Sequence, residues 1–81
     1  MKRVIKGFEK FKSRKGTDCC AIFVETEFMP RDGVEQKGVK YETVMCYGDA
    51  GVITDKAIGH ELVGFFGYNN GTCTVQTPSV V

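Results

Sequence analysis

The sequence has one histidine, no Cys-x-x-Cys pair and no glycine loop of the phosphate-binding type. A nucleophilic triad would have to use His60, which stands beside Gly59 and reads as a surface or hinge residue. The segments GYNNG and GDAG are followed by neither a lysine nor a helix start, which a phosphate loop needs. The sequence therefore predicts a non-enzymatic protein with no catalytic residue and no cofactor.

The cysteines also lack the spacing of a metal site. Structural zinc sites use close ligand pairs, but Cys19 and Cys20 are adjacent and point to opposite faces of a strand. The other two cysteines, Cys46 and Cys73, stand alone. We expect four reduced thiols packed as small hydrophobic groups, and no bound metal.

Long apolar runs are missing as well. No segment approaches the roughly 18 apolar residues of a membrane span, and no apolar stretch of signal-peptide length follows the basic N-terminus. We expect a cytoplasmic protein with no membrane partner. With 81 residues, the chain is predicted to form one domain over 1–81.

The sequence does contain, along most of its length, the alternation that is typical of β-strands. Apolar and polar residues alternate, and turn residues separate the alternating runs. The connector at 52–60 is predicted as one short helical turn or a short strand, and residues 77–81 are expected to trail off. Asn-Gly at 70–71 predicts a type I′ hairpin turn. The predicted strands are 2–13, 18–28, 39–47, 61–68 and 72–77.

Five strands in so short a chain must close, or nearly close, to limit their exposed edges. We predict an all-β domain, a small five-stranded OB-like Greek-key barrel with the connector between its third and fourth strands. An SH3-like barrel and a small open sheet that dimerises are the alternatives.

Charge is distributed unevenly along the chain. The net charge is +1, but residues 1–16 carry seven basic residues and one acidic residue, so 7 − 1 = +6. Residues 17–81 carry four basic and nine acidic residues, so 4 − 9 = −5. A positive pole of this kind can bind a polyanion, although a solvated face or a flexible tail would show the same pattern.

The first strand combines this charge with aromatic residues. Strict alternation places Phe8 beside Lys6 and Lys10 on one face, as in proteins that stack bases on rings and hold phosphates with cations. A bulge at Gly7 would instead put Phe8 and Phe11 in the core. Phe23 is either a stacking ring or covered by a loop. The predicted nucleic-acid-binding residues are Lys6, Phe8, Lys10, Lys12, Arg14, Lys15, Lys37, Lys40, Tyr41 and Tyr47.

The segment QKGVKYETVMCYGDAG at 36–51 resembles the single-stranded-DNA-binding proteins of filamentous phages. The resemblance implies an OB-type fold, a symmetric homodimer and non-catalytic coating of single strands during viral DNA replication, in the host cytoplasm. It also implies that Tyr41 or Tyr47 contacts DNA. It covers about a fifth of the chain, and the spacing departs from the family's at Val39. The matching residues are Gly38, Lys40, Tyr41, Cys46, Tyr47, Asp49 and Gly51.

Two functions remain in competition. The first is binding of single-stranded nucleic acid, DNA before RNA. The second is a small protein-interaction module that adds a strand to a partner, for example a phage-encoded inhibitor that docks onto a charged host protein.

Overall fold

The computed structural model describes residues 2–81, which form five β-strands and one 3-10 turn. This confirms the predicted all-β class with a single short helical turn. No helix in this part of the chain is long and apolar enough to cross a membrane. The elements are β1 Val4–Lys12, β2 Asp18–Thr26, β3 Lys40–Tyr47, the 3-10 turn Asp55–Ala57, β4 Leu62–Asn69 and β5 Thr72–Val80.

The strands form one sheet in the order β1-β2-β3-β5-β4, in which only the β3–β5 contact is parallel. The two outer strands meet only where they start, at a bridge between Val4 and Glu61. The Ile5 N–H donates to the His60 carbonyl at 2.9 Å, and the Leu62 N–H donates to the Arg3 carbonyl at 2.8 Å. Beyond this point β1 and β4 diverge, so the sheet curls toward a barrel and does not close.

Both hairpins follow from their turn residues. Asn70 and Gly71 adopt positive φ angles of 53° and 80°, as a type I′ turn requires, which confirms the predicted turn between β4 and β5. The β1–β2 turn is closed by the Ser13 N–H, which donates to the Thr17 carbonyl at 2.9 Å. Gly16 supplies the positive φ of that turn, at 80°.

The hydrophobic core lies on the concave side of the sheet. The predicted alternation of β2 is confirmed, because Cys20, Ile22, Val24 and Thr26 are buried on this side. The 3-10 turn and the loop before it cover the core with Ala57 and with side chains from 50–53. The largest fully buried side chains are Ile5, Cys20, Ile22, Val24, Val44, Ile53 and Leu62.

Of the two alternatives for the first strand, strict alternation is wrong, and a bulge at Gly7 is correct for Phe8 but wrong for Phe11, which is exposed. A bulge between Ile5 and Gly7 shifts the register, so that Ile5 pairs with Val24 and Phe8 with Ile22. Both residues therefore face the concave side, and Phe8 packs partly buried against the core. A bulge places two residues of one strand opposite one residue of its partner, which breaks the period-2 pattern.

The prediction that residues 77–81 trail off is also wrong. Strand β5 continues to Val80, and Val80 and Ser79 pair with Leu62 and Val63. A second irregularity in the β4–β5 pairing, between Val63 and Phe65, accommodates Thr77, which has a positive φ of 48°. The chain is thereby bent, and its pairing resumes beyond Pro78.

Candidate nucleic-acid interface

The convex side of β1–β3 carries aromatic rings from all three strands. Cross-strand pairing aligns Phe11 with Cys19 and Cys19 with Tyr47, and aligns Gly7 with Phe23. Tyr41 lies opposite Glu25 at the other end of the same side. We call this surface the aromatic face and define it by Phe11, Phe23, Tyr41 and Tyr47.

These rings are accessible to solvent. The exposed fractions are 45% for Phe11, 36% for Phe23, 66% for Tyr41 and 61% for Tyr47. Tyr41 and Tyr47 are six residues apart on β3, which corresponds to about 20 Å along an extended strand. Exposed rings on one sheet face over this length can stack on successive bases of a single strand.

Small residues between the rings shape the face. Cys19 and Ala21 are buried although they point to the convex side, where they pair with the larger residues Tyr47 and Met45. The Phe23 ring lies beside Gly7, where an added Cβ would be 3.7 Å from the ring atom Cδ2. Glycine at position 7 therefore leaves room for the Phe23 ring beside β1.

Charges of both signs border the aromatic face. The bulge turns Lys6 to the convex side, where its Nζ is 3.8 Å from Glu25 Oε2. Glu9 lies opposite Ala21, near the middle of the face, and is exposed. Exposed ion pairs are weak, so a phosphate can compete with Glu25 for Lys6. The negative charge of Glu9 repels an approaching polyanion.

The second part of the interface is the end of the β1–β2 hairpin. No residue from 9 to 18 is buried, and this segment extends beyond the core. It carries four cations and two carboxylates, so its net charge is 4 − 2 = +2. We call residues 9–18 the basic arm. Its cations are Lys10, Lys12, Arg14 and Lys15.

The basic arm adjoins the aromatic face at Phe11, but its lysines lie on the opposite side of β1. Lys10 pairs with Cys20 and Lys12 with Asp18, on the concave side. Lys12 Nζ is 3.5 Å from Asp18 Oδ1 in an exposed ion pair. Both lysines border an open groove of about 400 Å³ between the arm and residues 48–51. Cations and rings are thus separated by the free edge of β1.

The remaining predicted residues are distributed as follows. Arg14 and Lys15 are exposed in the turn of the basic arm. Lys37 and Lys40 border a separate groove beside the β2–β3 loop, where Lys37 Nζ lies 3.0 Å from Glu35 Oε1. The structure therefore places Tyr41, Tyr47 and Lys6 on one side of the sheet and four cations on the arm, while Lys37 and Lys40 lie outside both.

Phe8 does not lie on the aromatic face. It is half-buried against the core, and Lys10 Nζ lies 5.7 Å from the centre of its ring. A cation at this distance from a ring is attracted to its face. The Phe8 ring is therefore only partly accessible, and Phe8 is mainly a core residue.

The cysteines belong to the packing of the sheet. All four are buried free thiols, and burial raises the pKa of Cys20, Cys46 and Cys73. A raised pKa keeps the thiol protonated and therefore a poor nucleophile or metal ligand. Within residues 2–81, no group of three or more His, Cys, Asp or Glu side chains is arranged to hold a metal ion.

Sequence reasoning did not assign Phe11 to the binding surface and left Phe23 undecided. The sequence did contain evidence for Phe23, because the alternation in β2 places its side chain on the other face of the strand from Ile22 and Val24. The face on which Phe11 lies could be assigned only from the strand register after the bulge, which pairs Phe11 with Cys19.

No family model, curated protein or solved structure matches this chain.

Proposed function

We propose that this protein binds single-stranded nucleic acid, with DNA as the first candidate, and that it does so without catalysis. The observation that carries the proposal is the aromatic face, where four exposed rings from three strands share one side of the sheet and the basic arm lies at its end, with its lysines across the free edge of β1. In OB-type domains the surface of strands 2 and 3, together with the neighbouring loops, is the usual site for oligonucleotides.

The rings bind bases. Every base has a π-face, so stacking on Phe23, Tyr41 and Tyr47 tolerates any sequence and contributes about 1–3 kcal/mol per base. Sequence preference is therefore weak.

The basic arm binds the backbone. A single strand that runs along the aromatic face and over the free edge of β1 brings phosphates toward Lys10 and Lys12 on the far side. Arg14 and Lys15 at the turn extend the positive surface in the same direction. Contacts to about four phosphates give a log–log salt slope of at most about −3.

The test is a titration of labelled oligo-dT at several salt concentrations, followed by fluorescence anisotropy. Removing the ring in Tyr47→Ala weakens binding by about 1–3 kcal/mol and leaves the salt slope nearly unchanged. Tyr47→Phe is the matched control, because it keeps the ring. A Tyr47→Ala protein that is folded and binds as tightly as Tyr47→Phe contradicts the stacking role.

The cations require a different variant. Lys10→Ala/Lys12→Ala/Arg14→Ala reduces the magnitude of the salt slope by about two units, since each phosphate contact contributes about 0.7. Lys56→Ala in the 3-10 turn removes an exposed cation outside the arm and leaves the slope unchanged. A folded triple variant that binds as the parent does would exclude the basic arm from the interface.

The competing function, a protein-interaction module, draws on the free strand edges. Strands β1 and β4 are hydrogen-bonded along only one side for most of their length, and such edges can accept a partner strand. A module of this kind has no affinity for oligo-dT at any salt concentration. The same titration therefore distinguishes the two functions.

Further properties follow from the resemblance at 36–51 and belong to the same proposal. They are a viral origin, a role in DNA replication, action in the host cytoplasm and assembly as a two-fold homodimer. Either Tyr41 or Tyr47 is then the tyrosine that the family uses to contact DNA, and both lie exposed on the aromatic face.

A further inference from the structure

Strands β3 and β5 separate toward the end of β3. Their parallel pairing ends with Met45 and Thr74. Beyond this point an open groove of about 600 Å³ lies between the two strands, and Tyr47, Asp49 and Gln76 border it. We call this groove the β3–β5 cleft. It adjoins the aromatic face, because Tyr47 belongs to both.

The separation leaves backbone groups of both strands without a partner in the sheet. The Gly48 N–H donates to the Asp18 carbonyl at 2.8 Å, so the preceding residue, Tyr47, directs its N–H and C=O away from β2 and toward β5. In a continued parallel ladder the Tyr47 N–H would donate to the Val75 carbonyl, but within residues 2–81 the pairing stops before it. A donor and an acceptor therefore face the β3–β5 cleft from its two walls.

The side chains at the cleft favour a base over a phosphate. Among the described residues that border it, only Asp49 is charged, and a carboxylate repels phosphate. Asp49 Oδ1 accepts the Gly51 N–H at 2.9 Å, which holds the adjacent turn. Gln76 is exposed, and alternation with the buried Val75 places it on the convex side, as Tyr47 is. Its amide can both donate and accept a hydrogen bond.

We propose that the β3–β5 cleft binds the edge of one adenine base, whose ring stacks on Tyr47 and whose polar edge meets the Gln76 amide. Adenine presents the N6 amine beside an acceptor nitrogen, and a glutamine amide contacts both atoms at once. Adenine is also the base without a carbonyl oxygen, so it brings no second acceptor oxygen toward the Asp49 carboxylate. This inference rests on the proposed function, and it adds to the sequence-tolerant rings one position at which the identity of the base matters.

The test is a competition assay in which unlabelled oligonucleotides displace labelled oligo-dT. The competitors are oligo-dT itself and the same oligonucleotide with one adenine, cytosine or guanine near its centre. We expect the single adenine to raise the affinity of the parent about fivefold, at the lower end for a bidentate contact because the cleft is open. A single unsubstituted purine is the ligand control, since it keeps the ring system of adenine and lacks the N6 amine. It is expected to bind no more tightly than oligo-dT.

Two variants assign the preference to the cleft. Gln76→Ala removes the amide, so the oligonucleotide with one adenine is expected to bind this variant no more tightly than oligo-dT does. Gln36→Ala is the matched control, because Gln36 lies in the β2–β3 loop, where its amide donates to the Met29 carbonyl at 3.0 Å. This variant is expected to keep the fivefold preference for adenine. Thermal melts establish that both variants are folded.

The contrary outcomes separate this inference from the proposed function. A parent that binds oligo-dT and does not distinguish the oligonucleotide with one adenine overturns the inference and leaves the proposed function standing. A parent with no affinity for any of the oligonucleotides overturns both. A preference that persists in Gln76→Ala, or that extends equally to purine, belongs to stacking and overturns the role of the cleft. A preference for guanine or cytosine that is lost in Asp49→Asn assigns the contact to Asp49 and overturns the choice of adenine.

Discussion

Gly64 makes the sharpest stability prediction in the fold. It lies at the irregularity between β4 and β5 and has a φ of 153°, in a region that only glycine occupies readily. A Cβ added there would be 2.8 Å from Val75 Cγ2 and 3.0 Å from the Gln76 carbonyl oxygen. The second neighbour is backbone, so it cannot rotate away.

The cost of Gly64→Ala follows from these two effects. The backbone conformation contributes about 1–3 kcal/mol and the overpacking about another 1–3 kcal/mol. For a chain of this size, each kcal/mol lowers the melting temperature by about 4–8 °C. We therefore expect a loss of at least about 10 °C in a thermal melt followed by circular dichroism.

Gly67→Ala is the matched comparison, with the same chemical change in the same strand. Its Cβ meets only Thr74 Oγ1, at the ordinary distance of 3.8 Å, and its backbone needs no positive φ. We expect its free energy of unfolding to stay within about 1 kcal/mol of the parent's. If both variants melt within a few degrees of each other, the bent geometry of β4 at Gly64 is refuted.

Four further predictions concern the turn, the core, the thiols and the interface. Gly71→Val should destabilise the fold strongly, because valine resists the φ of 80° that the type I′ turn requires; an unchanged melting temperature excludes that turn. Phe8→Ala should lower the melting temperature and weaken binding only as folded protein is lost, since Phe8 packs against the core; normal stability with weak binding contradicts this. Thiol titration of denatured protein prepared without reductant should count all four cysteines, and a count of two or none, or stoichiometric zinc, is the contrary result. Glu9→Gln should tighten binding to oligo-dT by up to about fivefold at low salt, and no change excludes Glu9 from the path of the strand.

The buried thiols also set a pH dependence of stability. Burial raises the pKa of Cys20, Cys46 and Cys73 in the folded protein, whereas in the unfolded chain a cysteine titrates near about 8.5. Well below this pH the three thiols are protonated in both states, so they contribute no pH dependence of stability. Above it the unfolded chain releases protons first, so stability should fall as pH rises. Urea unfolding across this range checks the sign, and constant or rising stability contradicts it.

Much of the strand pattern could be predicted from the sequence, because local chemistry determines it. In β2, Ile22 and Val24 alternate with Phe23 and Glu25, and one face must be buried. At the β4–β5 turn, Asn70 and Gly71 tolerate the positive φ that the hairpin needs. Both features depend on a few neighbouring residues, and both are present in the structure.

Whether β1 has a bulge at Gly7 could not be decided in this way, and the bulge changed the candidate site. Gly7 made a bulge plausible, but the position of the bulge depends on how β1 pairs with β2. With the bulge between Ile5 and Gly7, Phe8 joins the core and Lys6 moves to the convex side. The aromatic face likewise depends on pairing, since Phe11, Phe23 and Tyr47 come from three strands.

The end of β5 illustrates the same limit. Thr77 and Pro78 are typical of a chain leaving a sheet, since proline has no N–H to donate. The strand continues because Thr77 takes a positive φ opposite Gly64, and pairing with Leu62 and Val63 resumes beyond it. A contact between residues so far apart in sequence has no local signal.

The aromatic face is tested most directly by fluorescence quenching and anisotropy with labelled oligo-dT, using the parent and the double variant Tyr41→Ala/Tyr47→Ala. The account predicts that the parent binds with an affinity that falls linearly on a log–log plot against salt. It predicts that the folded double variant loses about 2–6 kcal/mol of binding energy, one stacked base for each ring. A parent with no affinity for oligo-dT at low salt, or a double variant that binds as tightly as the parent, would contradict it.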